Sequence, residues 1–148
     1  MGVQTVVFAV GQEEYGLPIE AVHEITRLGE VRPVPEAPPF VLGLINLRGM
    51  ALPVIDLRVR FGLPVPEAAD PGRASGNALV LVAEIAGDPV GLAVDEVVEV
   101  TVLEDISPPP PLIATAFIRG LVNLPNRIIM QLDPGKILAA DELRELLL

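Results

Sequence analysis

The chain has no cysteine and a single histidine, His23. With no thiolate and one imidazole, a zinc, copper or haem site has almost no ligands to draw on. Tryptophan is absent and tyrosine occurs once, so flat faces for stacking bases or sugars are few. The only serines, Ser75 and Ser107, lie in loop-like composition outside any G-x-S-x-G, which leaves a serine nucleophile without support. Neither G-x-x-x-x-G-K-[ST] nor G-x-G-x-x-G occurs, so no phosphate cradle is expected. The acid pairs Glu13-Glu14, Asp95-Glu96 and Glu104-Asp105 lack the spacing of a calcium loop. Long apolar runs are missing as well. Hydrophobic residues make up 51% of the chain and mean hydropathy is +0.53, yet stretches such as Ala78–Ala83 fall far short of the ~18 residues of a spanning helix. No basic, apolar leader opens the sequence. Basic residues are scarce, 10 against 20 acidic ones, for a net charge of −10, which disfavours nucleic acid. The expectation is a cytoplasmic protein that is not an enzyme, with no catalytic residue, no cofactor and no metal.

What is present is written twice. Y-G-L-P-I-E-A-V-H-E-I-T-R-L from Tyr15 returns as V-G-L-A-V-D-E-V-V-E-V-T-V-L from Val90, pairing Gly16 with Gly91, Glu24 with Glu99 and Leu28 with Leu103, 75 positions on. The match resumes 77 positions on, where F-V-L-G-L-I-N-L-R-G from Phe40 meets F-I-R-G-L-V-N-L-P-N from Phe117 and Asp56 meets Asp133. A duplicated module that fills the chain suits a two-lobed binding body better than a single catalytic pocket.

Short β-branched and aliphatic runs bounded by Gly, Pro, Asn or Asp recur throughout, the pattern of a small antiparallel barrel. Apolar residues three apart at Ile19, Val22 and Ile25 predict one helical turn leading into a strand. Arg48-Gly49 and Pro125-Asn126 read as hairpin tips, and proline at the second excludes the mirror-image type I′ turn there. Pro53 points to an edge position or a strand start. Asp56 and Asp133, the latter followed by Pro134, read as helix N-caps. The boundaries implied are a first repeat over about 7–63, a loop over about 64–77, a second repeat over about 78–140 and a terminal helix over about 141–148. Met1 and that helix favour a stand-alone protein. His23 falls where the second repeat has Val98 and is read as a partly buried structural histidine.

The repeats differ at one constellation. If they share a fold, Glu24 can reach Arg48 at its tip, whereas Glu99 faces Pro125 and lacks that partner. Arg48, Arg58 and Arg60 also form a basic island on an acidic body, read either as ordinary solvated surface or as one face of a charge-complementary docking site.

At these residues the sequence resembles the CheW-like family, adaptors of bacterial chemotaxis. The resemblance is carried by F-A-V-G-Q-E-E-Y-G-L-P-I-E-A-V-H-E-I (Phe8–Ile25), G-L-I-N-L-R-G (Gly43–Gly49), P-V-I-D-L (Pro53–Leu57) and G-L-A-V-D-E-V (Gly91–Val97) in that order. It implies an all-β fold of two SH3-like five-stranded barrels sharing a hydrophobic core. It also implies a non-catalytic adaptor coupling a CheA-type histidine kinase regulatory domain to the cytoplasmic tip of methyl-accepting chemoreceptors. Arg48 would be tied to that coupling, with Glu24 beside it. The expected partner-binding residues are Val22, Glu24, Ile25, Asn46, Leu47, Arg48 and Gly49. Val22, Ile25 and Leu47 are expected to contribute to an exposed apolar patch. The rival reading is a small-ligand regulatory module using the groove between the barrels, disfavoured by the few polar groups available to orient a ligand.

Overall fold

The computed structural model describes residues 2–63, 79–85, 87–110 and 116–138. The expected linker loop and terminal helix lie outside the described residues. Among the described residues there are ten strands: β1 Val3–Val10, β2 Glu13–Pro18, β3 Val22–Arg27, β4 Val41–Leu47, β5 Met50–Asp56, β6 Leu79–Ile85, β7 Asp88–Val94, β8 Glu96–Leu103, β9 Ile118–Leu124 and β10 Arg127–Leu132. Short helical turns punctuate them, three among the described residues. Ile19–Ala21 leads into β3 as the three-residue spacing implies, α1 spans Leu57–Arg60, and Pro134–Lys136 follows β10. Asp56 and Asp133 act as the expected caps, their side chains accepting from the backbone N–H of Arg58 at 3.0 Å and of Gly135 at 3.1 Å.

The strands make two five-stranded sheets. Lobe I has the order β3-β6-β7-β5-β4 and lobe II the order β8-β1-β2-β10-β9. Replacing each strand of one repeat by its counterpart in the other converts one order into the other. Each lobe therefore borrows from both repeats: lobe II combines β1 and β2 with β8, β9 and β10. Neither repeat can close a barrel alone, because its third strand pairs with the first strand of the other, β3 with β6 and β8 with β1. Both barrels are pinned shut in the same manner. Arg32 and Leu44 exchange two backbone hydrogen bonds of 2.8 Å, and Ser107 and Leu121 do so at 2.9 and 2.7 Å.

The equivalence extends to packing. A Cβ on Gly16 would fall 2.6 Å from Thr5 and press on Gln131 and Ile129; one on Gly91 would fall 2.8 Å from Val80 and press on Leu52 and Val54. These neighbours are each other's counterparts across the repeat, so glycine is required twice for one reason. Pro53 lies inside β5 rather than at its start, and β5 runs between β7 and β4. Pairing with β7 begins only at Val54, so the missing N–H of Pro53 falls where that side of the strand has no neighbour.

A central core joins the lobes, with Phe8, Leu17, Ile55, Leu57, Leu81, Leu92 and Leu132 fully buried. Burying each such side chain contributes about 1.5–3 kcal/mol. All the aromatic residues gather there. Phe8, Tyr15, Phe61 and Phe117 form a ladder with successive ring centroids 6.0, 5.0 and 4.8 Å apart. The Arg60 guanidinium lies over Phe40 and Phe117 at 5.4 and 5.8 Å. Burial, helped by the charge of Glu13, raises the Tyr15 hydroxyl to about 12, so Tyr15 stays neutral at physiological pH. Two smaller cores fill the barrels. Lobe I holds Leu28, Ile45, Leu47, Leu52, Val54, Val80 and Val82, and lobe II holds Val7, Leu103, Val122 and Ile129.

Candidate partner-docking surface

The β4–β5 hairpin projects a two-residue tip, Arg48-Gly49. Both residues have positive φ, 50° and 87°, the mirror-image turn whose twist matches the flanking strands. Asn46 stabilises it by accepting from the Gly49 N–H at 2.8 Å. An arginine in the left-handed region is uncommon, and backbone strain of this kind gathers at functional positions. The Pro125-Asn126 tip has no positive φ, so it differs in geometry as proline requires.

Arg48 lays its planar fork on Glu24 of β3, Nη1 donating to Oε1 at 2.9 Å and Nη2 to Oε2. The pair joins the two edge strands of lobe I. The Arg48 side chain is nonetheless 70% exposed and Glu24 31%, so the guanidinium is oriented without being consumed. The hydrogen bond from Arg48, followed by its charge, holds the Glu24 carboxyl below the usual carboxylate range; Glu24 in turn raises Arg48.

The predicted residues come together, with one exception in exposure. Ile25, Asn46, Arg48 and Gly49 are exposed around one barrel edge, and Val22 and Glu24 are half-buried. Leu47 is not part of an exposed patch. It points into the lobe I core, 9% exposed, against Leu52 and Val82, because alternation along β4 turns Asn46 outward and Leu47 inward. Val98, Val100 and Val102 on β8 carry the exposed apolar stripe instead, with Ile25 and Met50 isolated on lobe I. The signal was available: Val100 is the counterpart of Ile25, and Val98, Val100 and Val102 alternate with Glu99 and Thr101 along β8.

Two further expectations are corrected. His23 is exposed, not partly buried; its Nε2 lies 3.1 Å from Glu84 on the neighbouring strand. Alternation along β3 puts His23, Ile25 and Arg27 on the outer face. Glu99 does have an arginine. Arg127, immediately after the tip, reaches Glu99 at 2.7 Å and Glu14 of β2 at 3.0 Å. The partner is supplied from the first residue of β10 rather than from the tip, which alignment of the tips alone does not reveal.

A family model for the CheW-like domain matches residues 4–142. The chain belongs to the CheW-like family. Chemotaxis protein CheW of Klebsiella aerogenes is 34% identical over 151 aligned residues, covering 97% of this chain and 86% of the relative. That of Rhizobium meliloti is 33% identical, covering 95% and 90%. A crystal structure described as scaffolding protein TtCheW from Thermoanaerobacter tengcongensis superposes with a TM-score of 0.82 at 35% identity, covering 96% of each chain. The two-lobed fold and the family agree.

Proposed function

We infer that this protein is an adaptor, or scaffold, of chemotaxis-type signalling that performs no catalysis itself. We propose that it holds a CheA-type histidine kinase regulatory domain beside the cytoplasmic tip of a methyl-accepting chemoreceptor. The observation that carries the reading is the Arg48 tip: a fork held on Glu24, mostly exposed, in a strained turn on a chain that matches chemotaxis scaffolds over both lobes. A pre-oriented, always-charged planar group at a protruding edge suits the anchor of a protein interface. Val22, Glu24, Ile25, Asn46 and Gly49 frame it, and Leu47 supports it from below. No helix among the described residues is long and apolar enough to cross a membrane; a cytoplasmic site of action belongs to the proposal.

The test is titration of the purified protein with a CheA-type regulatory domain and, separately, with a receptor-tip fragment, with Arg48→Ala in parallel. Binding of at least one, weakened by the substitution, supports the reading. Failure of both to bind the wild-type protein overturns it.

A further inference from the structure

The two barrels share one strand order but differ in the charge around their mouths. Around the mouth of lobe I stand Arg27, Arg32 and Arg48; their counterparts around lobe II are Val102, Ser107 and Pro125. Lobe I also neutralises its acids, Glu24 on Arg48 and Glu30 on Arg32 at 3.4 Å. In lobe II, Glu104 and Asp105 are exposed and have no ion-pair or hydrogen-bond partner among the described residues. Asp105 is held there in the left-handed region, φ 56°.

Beneath these acids the barrel is open. A cavity of about 380 Å³ has Leu103, Val122, Leu124 and Ile129 as its floor. At its wall, Glu99 is tied to Arg127; Glu104 and Asp105 stand at its rim, beside the exposed Val102. The opening exists because the lobe II core is small. Leu124 is only half-buried where its counterpart Leu47 is buried, and no arginine reaches over the mouth from the Pro125 tip.

We propose that this mouth is a second docking site of the adaptor, receiving a lysine or arginine side chain presented between aliphatic residues by a protein partner. The stem of such a side chain lies on the apolar floor while its head meets Glu104 and Asp105. Charge fixes the choice of occupant: two unneutralised carboxylates at the rim disfavour an acidic or a purely apolar side chain. The inference rests on the adaptor reading, but its test does not use the kinase or the receptor, so the two can fail separately.

The experiment is amide chemical-shift mapping of the isotope-labelled full chain titrated with the capped tripeptide acetyl-Leu-Arg-Leu-amide. Norleucine and glutamate replace the arginine in control peptides. The expected result is saturable shifts at Thr101, Val122, Leu124 and Ile129, with Kd on the order of 1 mM for so small a probe. The glutamate peptide should give none, and the norleucine peptide should bind at least about threefold more weakly. Glu104→Gln with Asp105→Asn should weaken the arginine peptide about fivefold or more; both sites are exposed, and Asn tolerates the left-handed backbone at 105. Absence of saturable shifts, equal binding of the norleucine peptide, or indifference to the double substitution each overturns the proposal. So would peptide-free shifts of these amides with protein concentration, which would make a second copy the occupant.

Discussion

Lobe I and lobe II solve the same folding problem with the same strand order, yet they spend their Glu–Arg pair differently. In lobe I the arginine sits on the hairpin tip and is 70% exposed; in lobe II it sits at the base of β10 and is 29% exposed, held between Glu99 and Glu14. One pair displays its cation and the other encloses it. An exposed pair contributes little to stability because water competes for both ions. A pair withdrawn from water becomes costly to break, because the surviving charges are left without compensation. The difference teaches that equivalent carboxylates, Glu24 and Glu99, hold a displayed cation in one lobe and an enclosed one in the other, and that the position of the arginine decides which.

The largest effect expected from breaking this comparison is on stability. Arg127→Ala leaves Glu14 and Glu99 facing each other with no cation between them. It should cost about 1–3 kcal/mol, below the value for a fully buried pair because the cluster is part-solvated. Thermal or denaturant unfolding of the variant measures this. A melting temperature unchanged from wild type would mean that the enclosed pair is as dispensable as an exposed one.

Next is the displayed arginine. Arg48→Ala should weaken the more sensitive of the two partner titrations about tenfold or more, while the melting temperature moves by no more than about 2 °C. Arg48→Asn sharpens the point, since Asn-Gly is the preferred mirror-image turn. It should melt no lower than wild type and bind as poorly as the alanine variant. Arg48→Lys should rescue only in part if the planar fork matters. Loss of folding without loss of binding per folded molecule would make Arg48 structural.

The interiors differ too. Thr5 and Gln131 in lobe II replace Val80 and Val54 in lobe I, and the fully buried Gln131 amide finds no partner among the described residues. Gln131→Met keeps the shape and removes the unpaired amide. It should raise stability by about 1 kcal/mol in thermal unfolding. A lowered melting temperature would indicate that bound water satisfies the amide instead.

Much of this was legible in the sequence because turn and cap chemistry is local. The Arg48-Gly49 and Pro125-Asn126 tips, the turn before β3 and the Asp56 and Asp133 caps each announce themselves within a few residues. The exchange of strands between repeats is not local: β3 pairs with β6 and β8 with β1, contacts that no short window encodes. The Glu24–Arg48 pair was legible because the repeat alignment put the tip and the strand together. The Glu99–Arg127 pair was missed because a long side chain reaches its partner from a different strand position. Leu47 was assigned to the surface because, in a largely apolar strand such as β4, alternation cannot be phased without knowing which face meets the barrel.

The smallest expected effect is that of pH on the displayed pair, and its sign is fixed. Arg48 holds the Glu24 carboxyl below its ordinary value, so folding favours the carboxylate. The pair is then fully formed above the ordinary glutamate pKa of about 4.3 and is lost only as the pH falls through the lowered folded-state value. Arg48 stays charged throughout. Partner affinity measured at constant ionic strength should therefore be flat from pH 8 to about pH 5 in any part that depends on Glu24. Glu24→Gln supplies the control. A change in affinity between pH 7 and 5 that disappears in Glu24→Gln would mean that the Glu24 carboxyl titrates in this range, and that Arg48 does not hold it as the geometry requires.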